Sequence, residues 1–383
     1  MTELTPVQAA TIASRVYRLR KSTVAEADAL EIDALKIDGM FGNPSRFKGT
    51  SGGIEMFKPL SGFGYVAAGT GDFAGDLLIA TRGTVTLFDW VTDGNAGLQR
   101  GPGGHTVHAG FHETFKSFQP QLNAFLRGRN PTRIHCVGHS LGGALAFLNA
   151  DYIRANRIAD VRVYTFGSPR VGLEGFSRHL TETVGRGNIF RVSSPCDPVP
   201  MIPHFPFFHS PYQEEGLSIA RKSLMPVSFA AHFIDRSYVA GVERETWDSM
   251  RVTGPTGLEV QNWLANGSPG AMPFSAKLLE WISRAITAIV SSGPGQVAIG
   301  AASAVFTAGT TLLDRLAWII NNAAQMSKEI GHGVQTLISM IFRFLGRTAV
   351  STTSITTAFL RWVLDLLYTA VRTAAHRALA MIR

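Results

Sequence analysis

A short apolar run that passes through a serine into a helical stretch constrains the fold more than any other feature of this chain. Residues 133–138 are typical of a buried strand, Ser140 follows shortly after, and small apolar residues come next. Because Gly138 and Gly142 have no side chain, strand and helix approach closely and leave the serine hydroxyl at the tip of the turn. This G-x-S-x-G pattern predicts a nucleophile elbow, in which the backbone N–H of Leu141 points at a developing oxyanion.

Further strands alternate with helical stretches before and after this elbow. Residues 64–68 and 77–80 predict two paired strands, and residues 161–166 and 189–192 predict two more. Strands that alternate with helices indicate a layered α/β domain whose sheet is mostly parallel. We therefore assign residues 1–264 to an α/β catalytic domain.

The composition of the chain changes near residue 265. A Gly- and Pro-rich linker at 266–273 is followed by apolar residues at helical spacing, which predicts an all-helical region over residues 265–383. That region holds ten Lys and Arg against four Asp and Glu. Three interpretations stay open: contact with an anionic membrane surface, docking of a protein partner (a delivery or inhibitor protein), or a plain helical cap. The basic excess favours membrane or partner contact, and no basic run interleaved with aromatics suggests nucleic acid.

The first residues predict a helix rather than a secretory leader. Thr5 and Gln8 flank Pro6 in the pattern of a helix cap, and no basic stretch followed by an apolar core is present. We therefore expect no Sec signal peptide. The expected location is the cytoplasm of the producing cell, or outside it after secretion by a signal-independent route, with peripheral membrane contact. The uncharged segment 295–313 is diluted by small residues, so we expect no membrane span.

Candidates for the base and the acid that a serine nucleophile needs lie C-terminal to the elbow. Asp197 fits the acid, because it follows a strand on a Pro-flanked loop, where strand ends point at the site. Three histidines follow it in the chain, His204, His209 and His232. A loop separate from the acid's own reaches the required position more easily. This favours His232, and His209 stays open as the alternative.

Three histidines N-terminal to the elbow have the spacing of metal ligands on a helix. His105, His108 and His112 lie three and four residues apart. No acidic or Cys ligand nearby completes the set, and glycines interrupt the helix. We therefore expect neither a metal ion nor an organic cofactor.

Taken together, these motifs resemble those of class 3, or fungal-type, lipases, and they occur in that family's order over about residues 5–245. Residues 231–238 resemble the family's catalytic-histidine region, whereas His209 resembles its other, non-catalytic histidine. The remaining stretches that carry the resemblance are Thr81–Thr84, Asp89–Trp90, His108–Phe111, Gly138–Gly143, Tyr164–Gly172 and Asp197–Pro200.

The resemblance implies an α/β-hydrolase fold and a specific set of site residues. The triad is then Ser140, Asp197 and His232, with Ser140 as the nucleophile. The backbone N–H of Thr84, the residue after an Arg-Gly pair, is implied as the second oxyanion donor beside that of Leu141.

The resemblance predicts a serine hydrolase that cleaves carboxylic esters of lipids through an acyl-enzyme, either a triacylglycerol lipase or a phospholipase. Its substrate is then a lipid or phospholipid. Two alternatives stay open: a phospholipase A that acts as an antibacterial secreted effector (a bacterial lipase effector), and a membrane-perturbing helical protein without catalysis. The family's lid follows the oxyanion residue, which places it within 85–104 here.

Overall fold

A central sheet of seven strands forms the middle layer of the N-terminal two thirds of the chain. The computed structural model describes residues 2–20, 39–50, 60–83, 97–214, 216–219, 227–252, 257–267, 273–305, 310–348 and 355–380. Within these residues the strand order is β1 (Phe41–Thr50), β2 (Leu60–Gly69), β3 (Leu77–Thr81), β6 (Arg133–His139), β7 (Asp160–Phe166), β9 (Ile189–Ser193) and β11 (Leu217–Ser218). Neighbours from β3 to β11 pair in parallel, and β1–β2 and β2–β3 pair antiparallel, which confirms the predicted mostly parallel sheet.

The register of the sheet explains why its central strands are buried at nearly every position. Ile79, Cys136 and Val163 lie side by side on β3, β6 and β7 and enter the apolar core on one face. The next row along the strands, which includes Val137 and Tyr164, enters a second core on the opposite face. Since successive side chains of a strand point to opposite faces, a sheet covered on both sides needs continuous apolar runs.

Helices cover both faces of this sheet. They are α1 (Pro6–Arg15), α2 (Ala109–Leu126), α3 (Leu141–Ala155), α4 (Glu174–Val184) and the short α5 (Ala240–Val242). The helix start predicted at the N-terminus is confirmed: the Thr5 hydroxyl accepts the Gln8 N–H, and the Gln8 side chain accepts the Thr5 N–H. A second, antiparallel sheet has the order β10 (Phe207–Phe208), β8 (Gly172–Leu173), β5 (Thr106–His108) and β4 (Leu98–Arg100).

The C-terminal third is helical in the residues that are described, as predicted. Its helices are α6 (Gly257–Asn266), α7 (Ala276–Ser291), α8 (Gly293–Val305), α9 (Leu312–Met326), α10 (Lys328–Phe344) and α11 (Thr357–Ala380). None of the helices within the described ranges is long and apolar enough to cross a membrane. Since α6 packs against α7 and α10, the chain joins the helical layer before residue 265, and the boundary at 264/265 stays a prediction.

One apolar core connects the two parts of the chain. It contains residues under the sheet, such as Phe111 and Leu145, and residues of the C-terminal helices, such as Ile282, Leu337 and Leu367. The C-terminal helices therefore pack onto the α/β unit through buried apolar side chains.

Candidate active site

The predicted elbow is present, and its serine has a strained backbone. Ser140 lies between the end of β6 and the start of α3 with φ 58° and ψ −133°, a conformation that side chains other than glycine rarely adopt. A Cβ on Gly138 would lie 2.1 Å from the carbonyl oxygen of Gly142, and one on Gly142 would lie 2.2 Å from that of Thr81. Only glycine fits at both positions, and together they force the turn that presents Ser140.

The structure brings Ser140, His232 and Asp197 together in the predicted order. His232 Nε2 lies 2.9 Å from Ser140 Oγ, and His232 Nδ1 lies 2.7 Å from Asp197 Oδ2. Because a carboxylate only accepts, Nδ1 carries the proton and donates it, which leaves Nε2 free to accept from the serine hydroxyl. All three residues have 0% of their surface exposed, so these contacts are made away from solvent.

Asp197 is held by two further donors, neither of which sequence analysis identified. Its Oδ1 accepts the Val199 N–H at 2.9 Å, and its Oδ2 accepts the Tyr238 hydroxyl at 2.6 Å. The Tyr238 hydroxyl in turn accepts the Ser194 N–H. Burial, together with the Asp197 charge, holds the pKa of Tyr238 well above its ordinary value, so the phenol stays a donor. Tyr238 reaches Asp197 from a π-helical turn, Ile234–Val239, directly after the histidine.

A second chain of hydrogen bonds joins the elbow to the backbone of His232. His139 Nε2 lies 2.9 Å from the carbonyl oxygen of His232, so Nε2 donates, and Nδ1 accepts the Tyr17 hydroxyl at 2.8 Å. The Tyr17 oxygen also accepts the Gly83 N–H at 3.2 Å. Burial and the neighbouring His232 hold the pKa of His139 well below its usual range, so the ring is neutral. Tyr17 therefore links Gly83, at the end of the strand before Thr84, to the histidine turn, a contact that sequence analysis did not identify.

The other predicted residues of the site are His209, Leu141 and Thr84. His209 does not reach Ser140; its carbonyl oxygen accepts the Ser177 hydroxyl, and burial holds its pKa well below its usual range. Leu141 is the first residue of α3, where backbone N–H groups have no partner within the helix. Thr84 lies outside the described residues, as do Asp89–Trp90 and most of the predicted lid segment.

The three histidines with metal-ligand spacing make separate contacts. The His105 ring stacks on His179, His108 accepts the Gly110 N–H as the cap of α2, and His112 Nδ1 bonds Gln99. In the described ranges, no group of three or more His, Cys, Asp or Glu side chains is placed to hold a metal ion.

The sheet, the elbow at the carboxyl end of its central strand and the Ser–His–Asp contacts have the arrangement of the α/β-hydrolase fold. Residues 78–207, about a third of the chain, match the family model described as Lipase (class 3).

Relatives of known name cover part of the chain. The secreted mono- and diacylglycerol lipase 1 of Fusarium solani is 34% identical over 138 residues, which are 34% of this chain and 40% of that protein. The phospholipase A1-II 6 of Oryza sativa subsp. japonica is 30% identical over 188 residues, 38% of this chain and 46% of that protein. The structure of Lip2 lipase from Yarrowia lipolytica aligns at 19% identity and a TM-score of 0.41, over 56% of this chain and 77% of that one. The chain thus spans less than half the length of these two curated relatives.

Proposed function

We propose that this chain is a serine hydrolase that cleaves carboxylic esters of lipids. The observation that carries the proposal is the buried, hydrogen-bonded series Ser140–His232–Asp197 at a nucleophile elbow. A serine hydroxyl is a weak nucleophile by itself, and it becomes effective when a neighbouring imidazole accepts its proton during attack.

The proposed reaction runs through an acyl-enzyme. Ser140 Oγ attacks the ester carbonyl carbon as its proton moves to His232 Nε2, and Asp197 stabilises the imidazolium that forms. The oxyanion accepts the Leu141 N–H and, by the family resemblance, that of Thr84. His232 then protonates the departing alcohol. Water, activated by the same imidazole, attacks the acyl-enzyme and releases the fatty acid and Ser140.

Glycerolipids are the proposed substrate class. The relatives are named as mono- and diacylglycerol lipases and as phospholipases A1, and both names describe hydrolysis of an acyl ester. The second candidate is therefore phospholipase A activity, which the phospholipase A1 relative supports.

Contact with a membrane surface is the proposed way in which lipid reaches the enzyme. The C-terminal region is basic, and among its described residues Val297 and Ile299 are exposed, which suits an anionic lipid surface. A protein partner docked on this region, signal-independent secretion and a role as an antibacterial effector stay predictions.

The test compares wild type with Ser140→Ala on a mixed lipid extract, with products identified by mass spectrometry. We expect free fatty acid from wild type alone, accompanied by shorter acylglycerols for a lipase or lysophospholipids for a phospholipase A. Ser140→Ala removes the nucleophile and leaves the fold, so equal product from the variant would exclude the proposed reaction. Dye leakage from vesicles that survives in Ser140→Ala would instead favour the non-catalytic, membrane-perturbing alternative.

A further inference from the structure

The C-terminal helices reach the two loops that carry Asp197 and His232. Helix α11 packs against the 3₁₀ turn Phe229–His232 and against a second turn, Val199–Met201, which follows Asp197 directly. Helix α11 lies outside the residues that match the lipase family model. The contact is therefore a property of this chain that the family match does not cover.

Tyr368 of α11 makes the closest contacts with the acid loop. Its ring stacks on His204 with centroids 4.3 Å apart and 21° between the planes, and its hydroxyl donates to the carbonyl oxygen of Phe205 at 3.2 Å. His204 is buried, and its burial lowers its pKa to about 3, so the stacked imidazole is neutral. Tyr368 thus covers the loop that starts at Asp197 with both an aromatic face and a hydrogen bond.

The other side of the same loop is held from within the α/β unit. The Arg170 guanidinium donates from Nη1 to the carbonyl oxygens of Met201 and Pro203, at 2.6 and 2.9 Å. The Arg170 backbone N–H donates to the carbonyl oxygen of Ile202 at 2.9 Å. The loop therefore lies between an arginine of the α/β unit and the tyrosine of α11, and both donate hydrogen bonds to its backbone carbonyl oxygens.

The histidine loop is held by the same helical region. Arg377 of α11 lies 5.9 Å above the ring of Phe229. The Val227 N–H donates to the carbonyl oxygen of Phe274, just before α7, at 3.1 Å.

The two catalytic loops are also joined directly, because the Ser228 N–H donates to the carbonyl oxygen of Cys196 at 2.8 Å. The positions of the two loops are therefore linked by a backbone hydrogen bond as well as by α11.

We infer that Tyr368 is a positioning residue of the active site, and that through His204 and Phe205 it fixes Asp197 relative to His232. The inference rests on the proposed hydrolase function. The C-terminal helices then complete the catalytic site, in addition to any contact they make with lipid. A displacement of about 1 Å in a reacting group costs up to about 10²-fold in rate, so a loosened acid loop has a measurable effect.

The test measures kcat and KM of the full-length chain on a short soluble ester, p-nitrophenyl butyrate, with active sites counted by fluorophosphonate titration. Tyr368→Leu removes the stacking and the hydroxyl, whereas Tyr368→Phe keeps the ring. We expect kcat per titrated site to fall about 10- to 100-fold in Tyr368→Leu with KM within about twofold. For Tyr368→Phe we expect a fall of about threefold, since only one hydrogen bond is lost.

Trp362→Leu is the matched control, because Trp362 is an exposed aromatic residue of the same helix. It should retain wild-type kcat. A merely structural role for Tyr368 would lower the melting temperature or the titratable fraction and leave kcat per site unchanged, which overturns the inference. An equal loss in Trp362→Leu overturns it as well. Should Tyr368→Leu fail to fold, an unchanged kcat in Tyr368→Phe decides against it.

Failure of the proposed function looks different from failure of this inference. If wild type does not hydrolyse the ester, or if Ser140→Ala hydrolyses it equally well, the proposed function fails. If wild type is active, Ser140→Ala is inactive and the Tyr368 variants match wild type, only the role of Tyr368 is lost.

Discussion

The α/β unit and the C-terminal helices differ in what they bury. Among the described residues up to 252, many buried side chains are polar or charged, including Asp76, His135, His139 and Asp197. In the described residues from 257 onward, the buried polar side chains are Ser275 and Asn321. Buried polar groups lower stability unless they are bonded, so a fold keeps such a network where it serves a site, and an apolar core where packing is the only requirement.

The two regions nonetheless share one apolar core. Substitutions in the polar network and in this core therefore test the difference between the regions. The network that ends at Ser140 predicts large effects on rate from changes to single polar atoms. The shared apolar core predicts large effects on stability, in one cooperative transition, from changes in the helices.

The largest effect is expected for Asp197→Asn. The substitution keeps the shape of the side chain and the bond from Val199, but the amide no longer fixes the Nδ1 proton of His232. We expect kcat on a soluble ester to fall on the order of 10⁴-fold. Asp160→Asn, an exposed aspartate on β7 that pairs with Arg154, is the control and should retain full activity. A loss of less than tenfold in Asp197→Asn would break the triad assignment.

Leu367→Ala tests the contribution of the shared apolar core to stability. Leu367 is 1% exposed in the shared core, so truncation leaves a cavity, and we expect a loss of about 2–5 kcal/mol in the free energy of unfolding. Unfolding in urea should remain a single transition when followed by far-UV circular dichroism and by tryptophan fluorescence. Two separate transitions would show that the helices fold independently. Leu258→Ala, at a residue 66% exposed, should stay near wild type.

Asp151→Asn tests what a buried charge costs the α/β unit. Asp151 accepts the Gly103 N–H, and burial raises the pKa of its carboxyl to about 6. Since the folded state then binds a proton more tightly than the unfolded chain, stability contributed by Asp151 is lost as pH rises from about 4 to above 6. Asparagine keeps the acceptor without the charge. We expect the variant to gain about 2 kcal/mol relative to wild type between pH 4 and pH 7.5, measured by urea unfolding. If the free energy of unfolding depended equally on pH in both proteins, the buried Asp151 carboxylate would not lower stability.

The smallest effect is expected for Tyr238→Phe. Asp197 loses one of its donors and keeps those from Val199 and His232, so we expect kcat to fall about 3- to 10-fold with an unchanged fold. Tyr212→Phe removes a hydroxyl that donates to Glu174 on the surface and should not change kcat. Equal kcat in the two variants would contradict a contribution of the Tyr238 hydroxyl to catalysis through Asp197.

Sequence reasoning was most successful where the determinants are local. The elbow depends on glycines within four residues of Ser140, and the cap of α1 depends on four consecutive residues. His232 was preferred over His209 because a separate loop reaches the acid's partner more easily, and the structure places it so.

The missed contacts join residues that are far apart in the chain. Tyr238, on a π-helical turn, meets Asp197 across 41 positions, and Tyr17 meets His139 across 122 positions. An apolar stripe on α11 indicates that one face is buried, but not that Tyr368 covers the acid loop. His105, His108 and His112 have the spacing of metal ligands on a helix, but they do not share one helical face, because His108 ends a strand and caps a helix.

The packing of α11 on the Phe229–His232 turn also has a consequence for biosynthesis. A ribosome that has just added His232 still has to add well over 100 residues before α11 is complete. At 5–20 residues per second, that interval is on the order of 10 s. During this time the sheet and the elbow have been synthesised, whereas the histidine turn lacks the helix that packs against it. The nascent chain therefore acquires its serine long before it acquires the support for its base, and full reactivity is expected only after α11 has docked.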